Sequence, residues 1–154
     1  MHYFAYGTLL DVPSMQAFAP SAKPVGVMRL DGYRLGFALC GDGSKGGCTL
    51  RPTQGAVLYG MQYSLSDADM AAMDKASGID RALWVHKPIT VIDDKGNAVR
   101  TVTYVVPGYP APFAPSDAYV RPILQGLVDL SLDPAYAEEV RAIIARAQAG
   151  AGGG

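Results

Sequence analysis

Glutamate is scarce in this chain of 154 residues: the only two are Glu138 and Glu139, side by side near the C-terminal end. Histidine and cysteine are just as rare, with two of each. Cys40 and Cys48 are separated by a glycine-rich stretch, and His2 and His86 lie far from both, so a zinc site lacks its ligands. Two free thiols are expected rather than a disulfide. Charge of one sign is lacking too. The net charge is −1 and the lysines and arginines are scattered, which argues against a nucleic-acid binder that works through a basic face. No apolar run reaches the ~20 residues of a membrane span. The opening Met1-His2-Tyr3-Phe4 has no basic region ahead of an apolar core, so it does not read as a signal peptide. A cytoplasmic setting with no membrane or nucleic-acid partner is therefore expected. Gly41, Gly43, Gly46 and Gly47 have the wrong spacing for a nucleotide fingerprint and no helix after them. No cofactor and no metal are expected, and the oligomeric state stays open.

What is present suits one globular domain. Hydrophobic residues make up 49% and charged residues 18%, enough apolar side chain for a core without staples. Residues 1–148 read as a single domain and 149–154 as a flexible tail. Residues 2–6 read as a strand ended by Gly7-Thr8. Residues 24–40 hold two strand candidates around an Asp31-Gly32 turn, and residues 56–63 another strand. Ser66 is a good N-cap, Asp69 three residues on completes a capping-box pattern, and Leu65 and Met70 occupy staple positions. Met70, Met73 and Ser77 then share one helical face, and Gly78 is a natural stop. Residues 82–92 and 98–106 form a hairpin, and a proline-rich stretch, 107–115, wraps the surface. Ser116 is a candidate cap for a helix whose regular part begins at Pro122. Asp133-Pro134 starts the last helix. Strands first and helices late point to an α+β fold with an antiparallel or barrel-like sheet.

Two segments bear on chemistry. The strand ending at Tyr6-Gly7-Thr8-Leu9-Leu10 leaves unpaired amides at its tip, which can form an anion-binding concavity; the same residues also suit a plain turn capped by Thr8. The Gly46-Gly47 region serves either turn geometry or close approach of backbone to a ligand. His86 shares a strand face with Trp84 and reads as a surface or hydrogen-bonded structural histidine.

Tyr3-Phe4-Ala5-Tyr6-Gly7-Thr8-Leu9 resembles the opening signature of the γ-glutamylcyclotransferase-like (AIG2-like) family. Further motifs follow in order. Gly46-Gly47-Cys48-Thr49-Leu50-Arg51-Pro52 resembles the family's Gly-Gly stretch, and Val57-Leu58-Tyr59-Gly60 its next strand. Met73-Asp74-Lys75-Ala76-Ser77-Gly78 resembles the helix end Leu-Asp-x-x-Glu-Gly. Trp84 falls where the family often has an aromatic, and Pro115-Ser116 with Tyr119, Gly126 and Pro134 with Tyr136 resemble its C-terminal helices. The resemblance implies a small β-barrel flanked by helices. It also implies a small-molecule carboxylate substrate, held by Tyr6, Gly7, Thr8 and Leu9, with Gly46, Gly47, Trp84 and Tyr119 around it. The reaction it implies is intramolecular attack of the α-amine of a γ-glutamyl group on the γ-carbonyl, releasing 5-oxoproline and an amine. A glutamate carries the proton in that scheme.

At that glutamate's position this chain has Ser77. A serine hydroxyl is not an unassisted base at neutral pH, and losing one acid–base group typically costs ~10²–10⁴-fold. Asp74, one turn behind Ser77, is near enough to assist, although the family carries Asp there beside its glutamate. Three readings stand: a divergent acyltransferase or lyase using Ser77 or Asp74, a catalytically lapsed ligand-binding or partner module, and an unrelated hydrolase on the same scaffold.

Overall fold

A computed structural model describes residues 1–108 and 111–150. The tail residues 151–154, and Tyr109 and Pro110 of the proline-rich stretch, lie outside the described residues. The elements run β1 (His2–Ala5), α1 (Val12–Phe18), β2 (Lys23–Leu39), β3 (Gly46–Ser64), α2 (Asp67–Ala76), β4 (Val85–Ile92), β5 (Ala98–Val105), β6 (Ala111–Pro112), α3 (Asp117–Asp129) and α4 (Pro134–Gln148), with a 3₁₀ turn at Ile79–Arg81. The fold is α+β.

All sheet pairings are antiparallel, in the order β1-β3-β2-β4-β5, with β6 added to the end of β2. Among the described residues the β2–β4 ladder is a single bridge, between Arg29 and Ile92. The two outer strands curl toward each other. Thr103 Oγ1 on β5 donates to Phe4 O on β1 at 2.7 Å, and Tyr6 Oη donates to Tyr104 O at 2.6 Å. No backbone ladder joins β1 to β5 among the described residues, so the sheet is barrel-like but not closed. Phe4, Leu58, Tyr63, Met70, Met73 and Ile123 are fully buried in one core that spans sheet and helices.

Residues 24–40 are not two strands with a turn between them. β2 runs through, and the Asp31-Gly32 signal marks a bulge where pairing steps from Asp31↔Val57 to Tyr33↔Pro52. Gly32 at φ 84° and Gly55 at φ 81° take up the backbone distortion on the two strands, a conformation that costs glycine little. Gly46 and Gly47 belong to β3 rather than to the loop before it, since they pair with Leu39 and Ala38. The proline-rich stretch contributes β6, which pairs with the same end of β2.

Ser66 caps α2 by accepting from Asp69 N at 3.1 Å, but the capping box is not completed. The Asp69 carboxylate instead accepts from Ser21 N at 2.8 Å, and Ser66 N donates to Ser21 Oγ at 2.9 Å, so α2 is tied to the segment after α1. Ser116 caps α3 through Tyr119 N, and regular helix begins at Asp117 with Pro122 inside it rather than at Pro122. Asp133 caps α4 with Pro134 in the first turn. Gly126 lets α3 close on the segment after β1: a Cβ there would stand 2.7 Å from Leu10 Cγ.

Candidate functional site

The end of β1, the end of α2 and the start of α3 converge on a cavity of about 190 Å³. That is below the ~300–1,000 Å³ of drug-sized sites, so it suits a ligand about the size of an amino acid. Tyr6, Gly7, Thr8, Leu9, Ser77, Trp84 and Tyr119 line it together. Tyr3, Phe18, Cys48, Ala76 and Tyr104 complete the wall. None of the lining side chains is Asp, Glu, Lys or Arg, and neither glutamate of the chain reaches it.

The β1 tip has the form of an anion site. Leu10 N donates to Gly7 O at 3.0 Å, closing a turn, and the Thr8 amide lies near the Cys48 thiol. The amides of Gly7 and Leu9 have no protein acceptor among the described residues. Gly7 is required by close approach, since a Cβ there would lie 2.6 Å from Cys48 Sγ. The Tyr6 phenol is committed to Tyr104 O, so Tyr6 acts as a strut between β1 and β5.

Cys48 on β3 organises the opposite wall through its backbone. Its carbonyl accepts from Trp84 Nε1 at 2.9 Å, and its amide donates to Tyr119 Oη at 3.0 Å. Gly46 and Gly47 stand behind this wall rather than lining the cavity. A Cβ on Gly46 would collide with the Phe113 ring, and one on Gly47 with the Tyr119 hydroxyl and Trp84. Their role is space for the aromatic walls. Cys40 and Cys48 are both free thiols and both buried. Among the described residues no group of three or more His, Cys, Asp or Glu side chains is placed to hold a metal ion, and no helix is long and apolar enough to cross a membrane.

Ser77 is the C-cap of α2. Its amide donates to Met73 O at 2.8 Å, and Gly78 leaves the helix at φ 68°. A Cβ on Gly78 would also meet Leu83, so glycine is required there twice over. Behind Ser77 is a hydrogen-bonded chain of side chains. Ser77 lies beside the Tyr104 phenol on the cavity wall. Tyr104 Oη donates to Asp74 Oδ1 at 2.5 Å, and His86 Nε2 lies 2.6 Å from the same oxygen. The His86 and Tyr104 rings are 5.3 Å apart between centroids. Burial, and then the Asp74 carboxylate, push the Tyr104 phenol well above its ordinary range. Asp74 does not line the cavity; only Tyr104 carries this cluster to it. The hydrogen-bonded, exposed His86 matches its sequence reading, but nothing local in the sequence connects residue 104 to residues 74 and 86.

A family model described as gamma-glutamyl cyclotransferase, AIG2-like, matches residues 3–121. The chain belongs to that family. A gamma-glutamylcyclotransferase from Bos taurus is 25% identical over 146 residues, covering 92% of this chain and 77% of that protein. One from Mus musculus is 26% identical over the same shares of the two chains. A solved structure of a gamma-glutamyl cyclotransferase shares the fold with a TM-score of 0.83 at 25% identity, covering 92% of this chain and 86% of that one. In this family member the β1 tip and the α2 end line one cavity, and Ser77 and Tyr104 both face it.

Proposed function

We propose that this γ-glutamylcyclotransferase-family chain binds a γ-glutamyl group, or a related small carboxylate, in the cavity between β1, α2 and α3. The observation that carries the reading is that the Tyr6-Gly7-Thr8-Leu9 turn, with two unpaired amides, and Ser77 line one cavity. The carboxylate sits against the Gly7 and Leu9 amides, where backbone dipoles stabilise an anion without a lysine or arginine. Trp84 and Tyr119 enclose the carbon chain. Ser77 stands at the position of the family's proton-carrying glutamate, so the chemistry is altered. Its position as the C-cap of α2, lining the cavity, supports a side chain at 77 working beside the reacting γ-carbonyl. The two reduced cysteines suit a cytoplasmic setting.

The test is 5-oxoproline release from a panel of γ-glutamyl amines, alongside equilibrium binding of γ-glutamyl-alanine. Wild type is expected to bind and to turn over slowly. Ser77→Glu is expected to raise kcat by about 10²-fold, the usual contribution of one positioned acid–base group. Absence of binding by both proteins would refute the substrate class. The second reading, a ligand-binding module without turnover, is favoured by the lack of any charged side chain in the cavity lining. Binding by wild type with no release from any amine in the panel would select it.

A further inference from the structure

Cyclisation of a γ-glutamyl amine forms a bond from the α-nitrogen to the γ-carbonyl carbon and breaks the bond from that carbon to the departing nitrogen. One proton passes from the first nitrogen to the second. Some group must take it and give it back, and a lone serine is too weak a base to hold it. The side chains around α2 offer another route. Tyr104 lines the cavity beside Ser77, and its phenolic proton points to Asp74 Oδ1 at 2.5 Å, with His86 Nε2 2.6 Å from the same oxygen.

Resting on the γ-glutamyl reading above, we propose that Tyr104 carries this proton, with Asp74 and His86 as the positioning residues behind it, the three together standing in for the family's glutamate. The attacking nitrogen gives its proton to Tyr104 Oη while the phenolic proton moves to Asp74 Oδ1. The same two transfers run backward to protonate the departing nitrogen, and the protein ends as it began. The coupling is required. Burial disfavours a free phenolate at Tyr104, so the phenol must pass its own proton on in the step that receives another. His86 fixes which way the carboxylate faces. Asp74 is 28% exposed over its side chain even with His86 in place, and without His86 its carboxylate would be free to turn to solvent. The groups facing His86 are Asp74 from α2 and Tyr104 from β5.

The rival account is a structural brace tying the end of α2 to β4 and β5. Comparing kcat in two backgrounds separates the two. Tyr104→Phe, Asp74→Asn, His86→Ala and His86→Gln are each made in wild type and in Ser77→Glu. Release of 5-oxoproline from γ-glutamyl-alanine is then followed with thermal melting and binding of the same compound. In the wild-type background Tyr104→Phe and Asp74→Asn are expected to lower kcat by about 10²-fold with KM little changed. His86→Ala is expected to lower it about tenfold, with rescue by His86→Gln, whose amide nitrogen reproduces Nε2. In the Ser77→Glu background all four are expected to cost less than about threefold, because the glutamate then carries the proton itself. Equal losses in both backgrounds would overturn the relay in favour of the brace. So would a wild type that binds but is inert while Ser77→Glu turns over. Loss of binding and turnover in every variant and both backgrounds would remove the γ-glutamyl reading, and the relay with it.

Discussion

Cys48 serves the cavity in three ways: its carbonyl holds Trp84, its amide holds Tyr119, and its sulfur packs against Gly7 and accepts from Tyr119 Oη at 3.7 Å. Burial pushes its thiol up to about 11. At pH 8 only about one part in a thousand is thiolate, and the thiolate is the reactive form. Iodoacetamide at pH 8 is therefore expected to leave Cys48 unmodified in the native protein for a time that saturates it in guanidinium, as read by peptide mass spectrometry. Native labelling should rise about tenfold per pH unit toward 11. Fast labelling at pH 8 would show that the wall opens. Sequence reasoning found both ends of this arrangement, Gly7 on one side and Trp84 and Tyr119 on the other, because each falls in a short motif. It missed Cys48 as a lining residue and Tyr104 altogether. Tyr104 sits in Val102-Thr103-Tyr104-Val105, an ordinary strand pattern, and its chemistry comes from a partner 30 positions earlier in the chain. Pairing across that distance leaves no local trace.

At the scale of elements, what could be read was what is decided locally. Ser66 before α2, Gly78 after it and Asp133-Pro134 before α4 are governed by capping groups within a turn of the helix end, and all behave as their chemistry dictates. The failures are elements decided by neighbours. Asp31-Gly32 has hairpin chemistry, yet β3 continues alongside β2 past the bulge, and the extra ladder outweighs the local turn. Asp69 is recruited by Ser21 from another segment. α1 is too short for a periodic signal. Pro122 is instructive because its ring deprives α3 of an internal hydrogen bond, yet the helix runs through it, anchored by buried Val120, Ile123 and Leu127. A proline inside a helix costs roughly 3 kcal/mol relative to alanine, partly offset by the freedom it removes from the unfolded chain. Pro122→Ala is expected to stabilise the protein by about 1–2 kcal/mol in urea unfolding, with the same denaturant slope. A loss of stability would mean that the ring's packing outweighs the missing bond.

Over the whole molecule, the sheet stays curled because its outer strands are pinned by side chains where a ladder would otherwise run. Thr103 is fully buried, and its hydroxyl gives Phe4 O a partner. Thr103→Val keeps the shape but strands that carbonyl, and is expected to cost about 1–3 kcal/mol. Amide exchange should speed up in residues 2–6 more than in β2 or β3, which would place the loss at the join. Uniform acceleration would argue against it. The join also sets an order of events. Phe4 meets Thr103, and Tyr6 meets Tyr104, across 99 and 98 positions of chain. Closing so long a loop is entropically slow compared with zipping the hairpins between. During synthesis the first residues must wait, unpartnered on that side, until β5 has emerged and folded back. Only then do Tyr6 and Tyr104 enclose a common space. A ligand in that space therefore acts on the final closure, holding shut the joint that formed last and slowing its reopening.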